Sequence, residues 1–219
     1  MITIDLLANL MVACNQELVL CDLDLWIFPM ISSVICLPFW DRIFCLLTVL
    51  FAWSVQLGNI RAMYKKLYGI ADDCTNDALM FLGLISLITL PLIGYFDEHN
   101  YGHIHGPLAG VFFGCTGIYA YLLTGTMDKY KDKLPAEDQA LVGTLKTIRM
   151  YMTISLLTLV VSILIMGSAL LTPIAEWAVG LLFLNFFAFV VFSNDFYATI
   201  HPFGKLLPPG TVFAEQQEA

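Results

Sequence analysis

Charge is what this chain has least of. Only 13% of its 219 residues are charged and 59% are hydrophobic, where soluble domains carry roughly 25% and 45–50%. That balance excludes an ordinary soluble domain and marks an integral membrane protein. Lysine and arginine total 10 against 18 acidic residues, and no basic patch gathers them, so no nucleic-acid partner is expected. The six cysteines (Cys14, Cys21, Cys36, Cys45, Cys74 and Cys115) form neither CxxC nor a zinc spacing. Most lie among apolar residues, where cysteine behaves as a small hydrophobe, and neither a disulfide framework nor a redox centre is expected. A secretory signal is not expected either, because "MITIDLLANLMVACNQELVLC" has no basic n-region and is interrupted by Asn9, Asn15, Gln16 and Glu17. The first basic residue is Arg42, which suits a mitochondrial presequence badly. Targeting is expected to reside in the apolar segments themselves. No internal repeat and no low-complexity linker divides residues 1–219, which read as one polytopic domain.

What the chain has instead is long apolar runs. Residues 43–60, 78–96, 104–125 and 150–171 contain no Asp, Glu, Lys or Arg, and 174–193 contains only Glu176. A membrane crossing needs about 20 apolar residues as a helix, and inside the bilayer every backbone group must bond within its own segment. The alternating ten-residue runs of a membrane barrel are missing. The fold class is therefore an all-α membrane protein with about five transmembrane helices. Ahead of them, Ile4, Leu7, Met11, Cys14, Leu18 and Cys21 recur at helical spacing, which predicts a surface-lying amphipathic helix over 1–26. The stretch "LWIFPMISSVICLPF", residues 25–39, is apolar but short and broken by Pro29 and Pro38, as expected of a re-entrant or interfacial segment. Residues 27–196 form the helical region and 197–219 a polar tail. Between spans three and four, Pro135, Glu137 and Asp138 suit a helix start, and that helix is expected to run on into span four.

The few basic residues alternate from one connection to the next. Arg61, Lys65 and Lys66 follow span one, and Lys129, Lys131, Lys133, Lys146 and Arg149 separate spans three and four, while 97–103 and 172–173 contain none. By the positive-inside rule the stretch His99–His105 faces the non-cytosolic side and Lys129–Lys146 the opposite one. Single-cysteine labelling in sealed vesicles checks this orientation. Equal protection of the two stretches would overturn it.

The densest polar constellation is "FDEHNYGHIHGPLAG", residues 96–110, with Asp97, Glu98, His99, His103 and His105. His99 and His103 are four apart, but Asn100, Tyr101 and Gly102 favour a turn and Gly106-Pro107 a break. A polar interface loop is expected, since the histidines lack a complete zinc ligand set. His201 lies on the opposite side by topology, which disfavours bis-histidine haem ligation. No metal or cofactor is expected. Gln56, Asn59 and Asn185 are expected to bond between helices, and Gly110, Gly114 and Gly117 to form a close packing face on span three, within the chain or against a partner. Glu176, near a membrane edge, can reach water. Phenylalanines 183, 186, 187, 189 and 192 surround most of span five, so part of that face is expected to meet lipid or another subunit.

Taken in order, "FPMISS", "FDEHNYGHIHGPLAGVFF" and "EWAVGLLFLNFFAFVVFSNDF" resemble the damage-regulated autophagy modulator (DRAM) family. Its superfamily includes lipid-remodelling factors for glycosylphosphatidylinositol anchors. The resemblance covers about residues 27–196. It implies that Pro29, Ile31 and Ser32 match a non-cytosolic P-x-I-S element, and Asp97 with His103 or His105 an acid-and-histidine pair. Glu176, Trp177, Asp195 and Phe196 match the final-span pattern. Members of that family carry a span before P-x-I-S, making six, whereas the residues preceding Ile27 here are too polar to cross. A helix face is then left for another protein to cover.

Three functions follow. In order, they are a non-catalytic accessory subunit of a larger membrane complex, with the mitochondrial inner membrane as one host; a free-standing endomembrane or lysosomal regulator of autophagy; and a lipid-remodelling enzyme centred on the acid–histidine stretch. Membrane lipids and other membrane-protein subunits are the expected partners.

Overall fold

The computed structural model describes residues 29–35, 40–166 and 171–193. The amphipathic helix expected over 1–26, the tail 197–219 and Asp195 lie outside them. Among the described residues there is no strand, and five helical stretches are long and apolar enough to cross a membrane. A short helix α1 (Ile31–Ile35) precedes them. The first span joins α2 (Trp40–Phe51) to α3 (Leu57–Leu67) through a π-turn at Ala52–Gln56. Next come α4 (Asp73–Tyr95), α5 (Glu98–Lys129), α6 (Ala136–Val161, continued by a π-turn at Ser162–Met166) and α7 (Leu171–Ser193). Successive spans pack side by side and α7 returns to α3, so the chain closes into a bundle with α1 tucked against α2, α5 and α7.

Local chemistry explains the ends. Gly69, at φ +73°, supplies the left-handed turn that leads out of α3, a conformation glycine adopts without steric cost. Asp72 caps α4 by accepting from the Thr75 backbone at 2.9 Å. Those bonds from Thr75, backbone first and hydroxyl second, hold the Asp72 carboxyl below its ordinary range. The expected helical run from residue 136 into span four is present as α6.

The stretch 96–110 is not a loop. The turn is reduced to Phe96 and Asp97, and α5 starts at Glu98. Asp97 caps it, accepting from the Asn100 backbone at 2.7 Å, and that cap outweighs the turn propensity of Asn100 and Gly102. Partial burial works against the Asp97 charge, but bonds from the Asn100 side chain and backbone hold its carboxyl below the usual range. The turn signal survives only as a kink at Tyr101 (φ −132°, ψ 35°). Pro107 lies inside the helix, costing a backbone bond that membrane helices tolerate through local adjustment.

Phenylalanines on α7 divide between the interior and the outside, so only part of that face is open to lipid, as expected. Phe183, Phe186 and Phe187 are at most 2% exposed, and Phe189 alone of the described ones faces out, at 47%. Phe183 stands edge-on to Phe112 of α5 at 5.8 Å, and Phe187 stacks with Tyr119 at 5.9 Å. Three aromatic rings of α7 therefore fill the bundle interior instead of meeting lipid. Of the polar residues inside spans, Asn59 bonds between helices as expected, accepting from the Tyr119 hydroxyl at 3.0 Å and donating to the Phe187 carbonyl at 3.4 Å. Gln56 donates to the Ser86 hydroxyl. Asn185 does not cross: its amide returns to the Leu181 carbonyl of its own helix at 2.7 Å, because it sits on an exposed face.

Candidate functional site

Because the spans alternate in direction, the starts of α2, α5 and α7 and the end of α4 share one end of the bundle. Lysines 66, 129 and 146 lie toward the other. The basic-poor end carries the polar motif residues.

There α1 is pinned by α7. Glu176 accepts from the Ile31 backbone at 3.0 Å through Oε2 and from the Ser32 backbone at 3.4 Å through Oε1. The Trp177 indole donates to the Pro29 carbonyl at 3.0 Å. Backbone donors at a helix start have no partner within the helix, so a carboxylate from 145 positions away serves as their cap. Glu176 is half-buried, so it keeps some reach to water as expected, and the sequence did not point to its bonds with α1. Ser32 is 3% exposed and lies beside the same carboxylate.

His105, 6% exposed, joins them from α5. Its Nδ1 lies 2.8 Å from the Phe96 carbonyl. A carbonyl only accepts, so Nδ1 carries the proton and the tautomer is set. Beneath this polar end lies a cavity of about 80 Å³ between α1, α2, α4, α5 and α7. Phe44, Leu90, Phe112 and Phe183 are among its apolar walls, and Ser32, Thr48, His105 and Glu176 are its polar ones.

The motif residues thus divide. Pro29, Ser32, His105 and Glu176 converge, Pro29 through its carbonyl. Asp97 binds Asn100 as a cap and His103 is exposed, so the acid-and-histidine pairing implied by resemblance is not formed as a hydrogen bond among the described residues. Thr48 and Ala109, which also line the cavity, carry no sequence signal that would single them out. No group of three His, Cys, Asp or Glu among the described residues could hold a metal.

The glycines on α5 separate as well. A Cβ on Gly117 would meet Leu156 of α6 at 3.4 Å, whereas at Gly110 and Gly114, and at Gly102 and Gly106 before them, it would meet nothing within 4 Å. These last four stand four residues apart and form an open file down one side of the helix.

A bundle of five crossing helices whose short leading helix is capped by a carboxylate of the last span is a polytopic α-helical membrane protein. The pattern of the Frag1/DRAM/Sfk1/Cwh43P N-terminal domain matches residues 9–199, and the chain belongs to that family. The match begins ahead of Pro29, so the segment before P-x-I-S is part of the family region, which extends further forward than the resemblance over 27–196 implied. No curated protein and no solved structure matches the chain.

Proposed function

We propose that this protein is a non-catalytic, multi-pass accessory subunit of a larger membrane complex. The observation that supports this most is the open glycine file on α5. Gly110 and Gly114 have no side chain against them among the described residues, and small residues at this spacing let a neighbouring helix approach closely where lipid provides no hydrophobic drive. The span Asp138–Leu164 adds to it: 17% of its apolar window is buried, against 33–44% for the other four. A transmembrane helix of a partner subunit is the occupant that suits both. The mitochondrial inner membrane is one host; a lysosomal or other endomembrane complex would use the same face.

Catalysis is disfavoured because the acid and the histidine of the polar end are not bonded to each other among the described residues. In a serine–histidine–acid arrangement the acid orients the histidine and the histidine takes the serine proton. Here both Glu176 oxygens accept backbone amides and His105 Nδ1 is committed to a carbonyl.

Gly110→Leu with Gly114→Leu tests the reading, because neither side chain meets anything within the described chain. The subunit is expected to leave its native assembly on a mild gel while keeping its own thermal transition. A wild-type protein that runs as a stable monomer from its native membrane would sink the accessory-subunit reading in favour of a free-standing DRAM-type regulator.

A further inference from the structure

The cavity has a chemistry that the subunit reading does not use. Its volume of about 80 Å³ is several times the roughly 10–15 Å³ that one water requires, yet the walls are mostly aromatic and aliphatic. Such a space suits hydrocarbon, and it lies inside a bundle surrounded by hydrocarbon. Glu176 stands at its polar end. A carboxylate has about four acceptor positions; two backbone amides occupy one on each oxygen and the Ser32 hydroxyl bonds to it as well, leaving capacity for one further donor. No lysine or arginine among the described residues pairs with it. His105 and Ser32 line the same end. This is a site with hydrogen-bond acceptors and an apolar recess, and it suits a donor head in preference to a fatty acid or an anionic phosphate.

We infer that the cavity binds the head end of a long-chain amine, its ammonium on Glu176 and only its first few carbons in the recess, which at about 80 Å³ is smaller than a cavity that takes benzene. Those carbons displace the void and the head supplies the cation that the folded protein does not. Binding is reversible and breaks no covalent bond. The site is independent of the glycine file, which lies on the open side of α5.

The test uses the full-length protein in phosphatidylcholine vesicles with a photoactivatable, alkyne-tagged long-chain amine, compared with the matched fatty acid. Cross-links are expected on peptides from α1, α5 and α7, and the fatty acid should label them roughly tenfold less, as loss of one charge-assisted bond implies. Glu176→Gln keeps one acceptor oxygen and the side-chain size, and should lower amine labelling by a similar factor. Ala109→Phe fills the recess and should abolish it, with Glu176 untouched. Equal labelling by fatty acid, labelling unaffected by Ala109→Phe, or cross-links spread over lipid-facing residues such as Leu164 would overturn the assignment. If either variant misfolds, competition in the wild type decides: unlabelled amine must displace the probe and unlabelled fatty acid must not.

Discussion

Lys66→Met is expected to destabilise the protein by roughly 3 kcal/mol, in the range found when one partner of a buried ion pair is removed. The Lys66 ammonium lies 2.8 Å and 2.7 Å from the two oxygens of Asp138. The Asp138 side chain is 1% exposed and that of Lys66 28%. The pair joins the last turn of α3 to the first turn of α6, so each charge also sits at the helix end that favours it. Removing the lysine strands a carboxylate that water cannot reach. Removing both charges is a different experiment: Lys66→Met with Asp138→Leu leaves nothing unpaired, and most of the loss should return. Thermal unfolding in mild detergent measures the wild type, both single variants and the double variant. A single-variant loss under about 1 kcal/mol, the size of a surface pair, would show that the bridge exchanges freely with water.

How far these contacts were legible depends on sequence separation. The spans could be read because crossing a bilayer imposes a length and an apolar content on each segment alone. The clustering of Lys66, Lys129 and Lys146 toward one end follows from the same local rule. The identity of Lys66's partner, 72 positions away, is decided by which helices pack together, and no local pattern encodes that. Glu176 is the sharper case. Its position near the start of a span points to partial access to water, which it keeps, but nothing local indicates the two unfilled backbone donors that α1 brings to it across 144 and 145 positions. Asp97 differs for another reason: an aspartate ahead of an apolar run is a capping signal, but three neighbouring histidines make it read as a loop acid. The converging set of Ser32, His105 and Glu176 was recognisable by motif, residue by residue, while the cavity that joins them exists only in the packed bundle.

Glycine shows the same limit and yields the second large effect. Spacing singled out α5, yet the tightest glycine among the described residues is on α4, and a second glycine of α4 meets backbone. A Cβ on Gly83 would lie 2.7 Å from Cγ1 of Ile60, and one on Gly94 would lie 3.1 Å from the backbone Cα of Cys45 and from Oγ1 of Thr48. These two glycines are eleven apart, close to three turns of a 3.6-residue helix, so they share a face and let α4 settle onto the first span at both levels. Alanine would give a muddied result, because its steric cost opposes a helix-propensity gain of about 1 kcal/mol over glycine. Leucine at either site forces the helices apart, and overpacking of this kind costs roughly 1–3 kcal/mol or more. Gly83→Leu with Gly94→Leu is therefore expected to lower the melting temperature by on the order of 10 °C, at roughly 2–4 °C per kcal/mol for a chain of this size. Gly110→Leu with Gly114→Leu should leave it nearly unchanged, since nothing described lies within reach of either Cβ. Both pairs add the same atoms to the same residue type inside membrane spans, so the difference between them reports packing within the chain. If the α5 pair lowers the isolated protein's melting temperature as much as the α4 pair, its glycine file faces this chain and the partner helix loses its support. If the α4 pair has no effect, α4 does not rest on the first span as described.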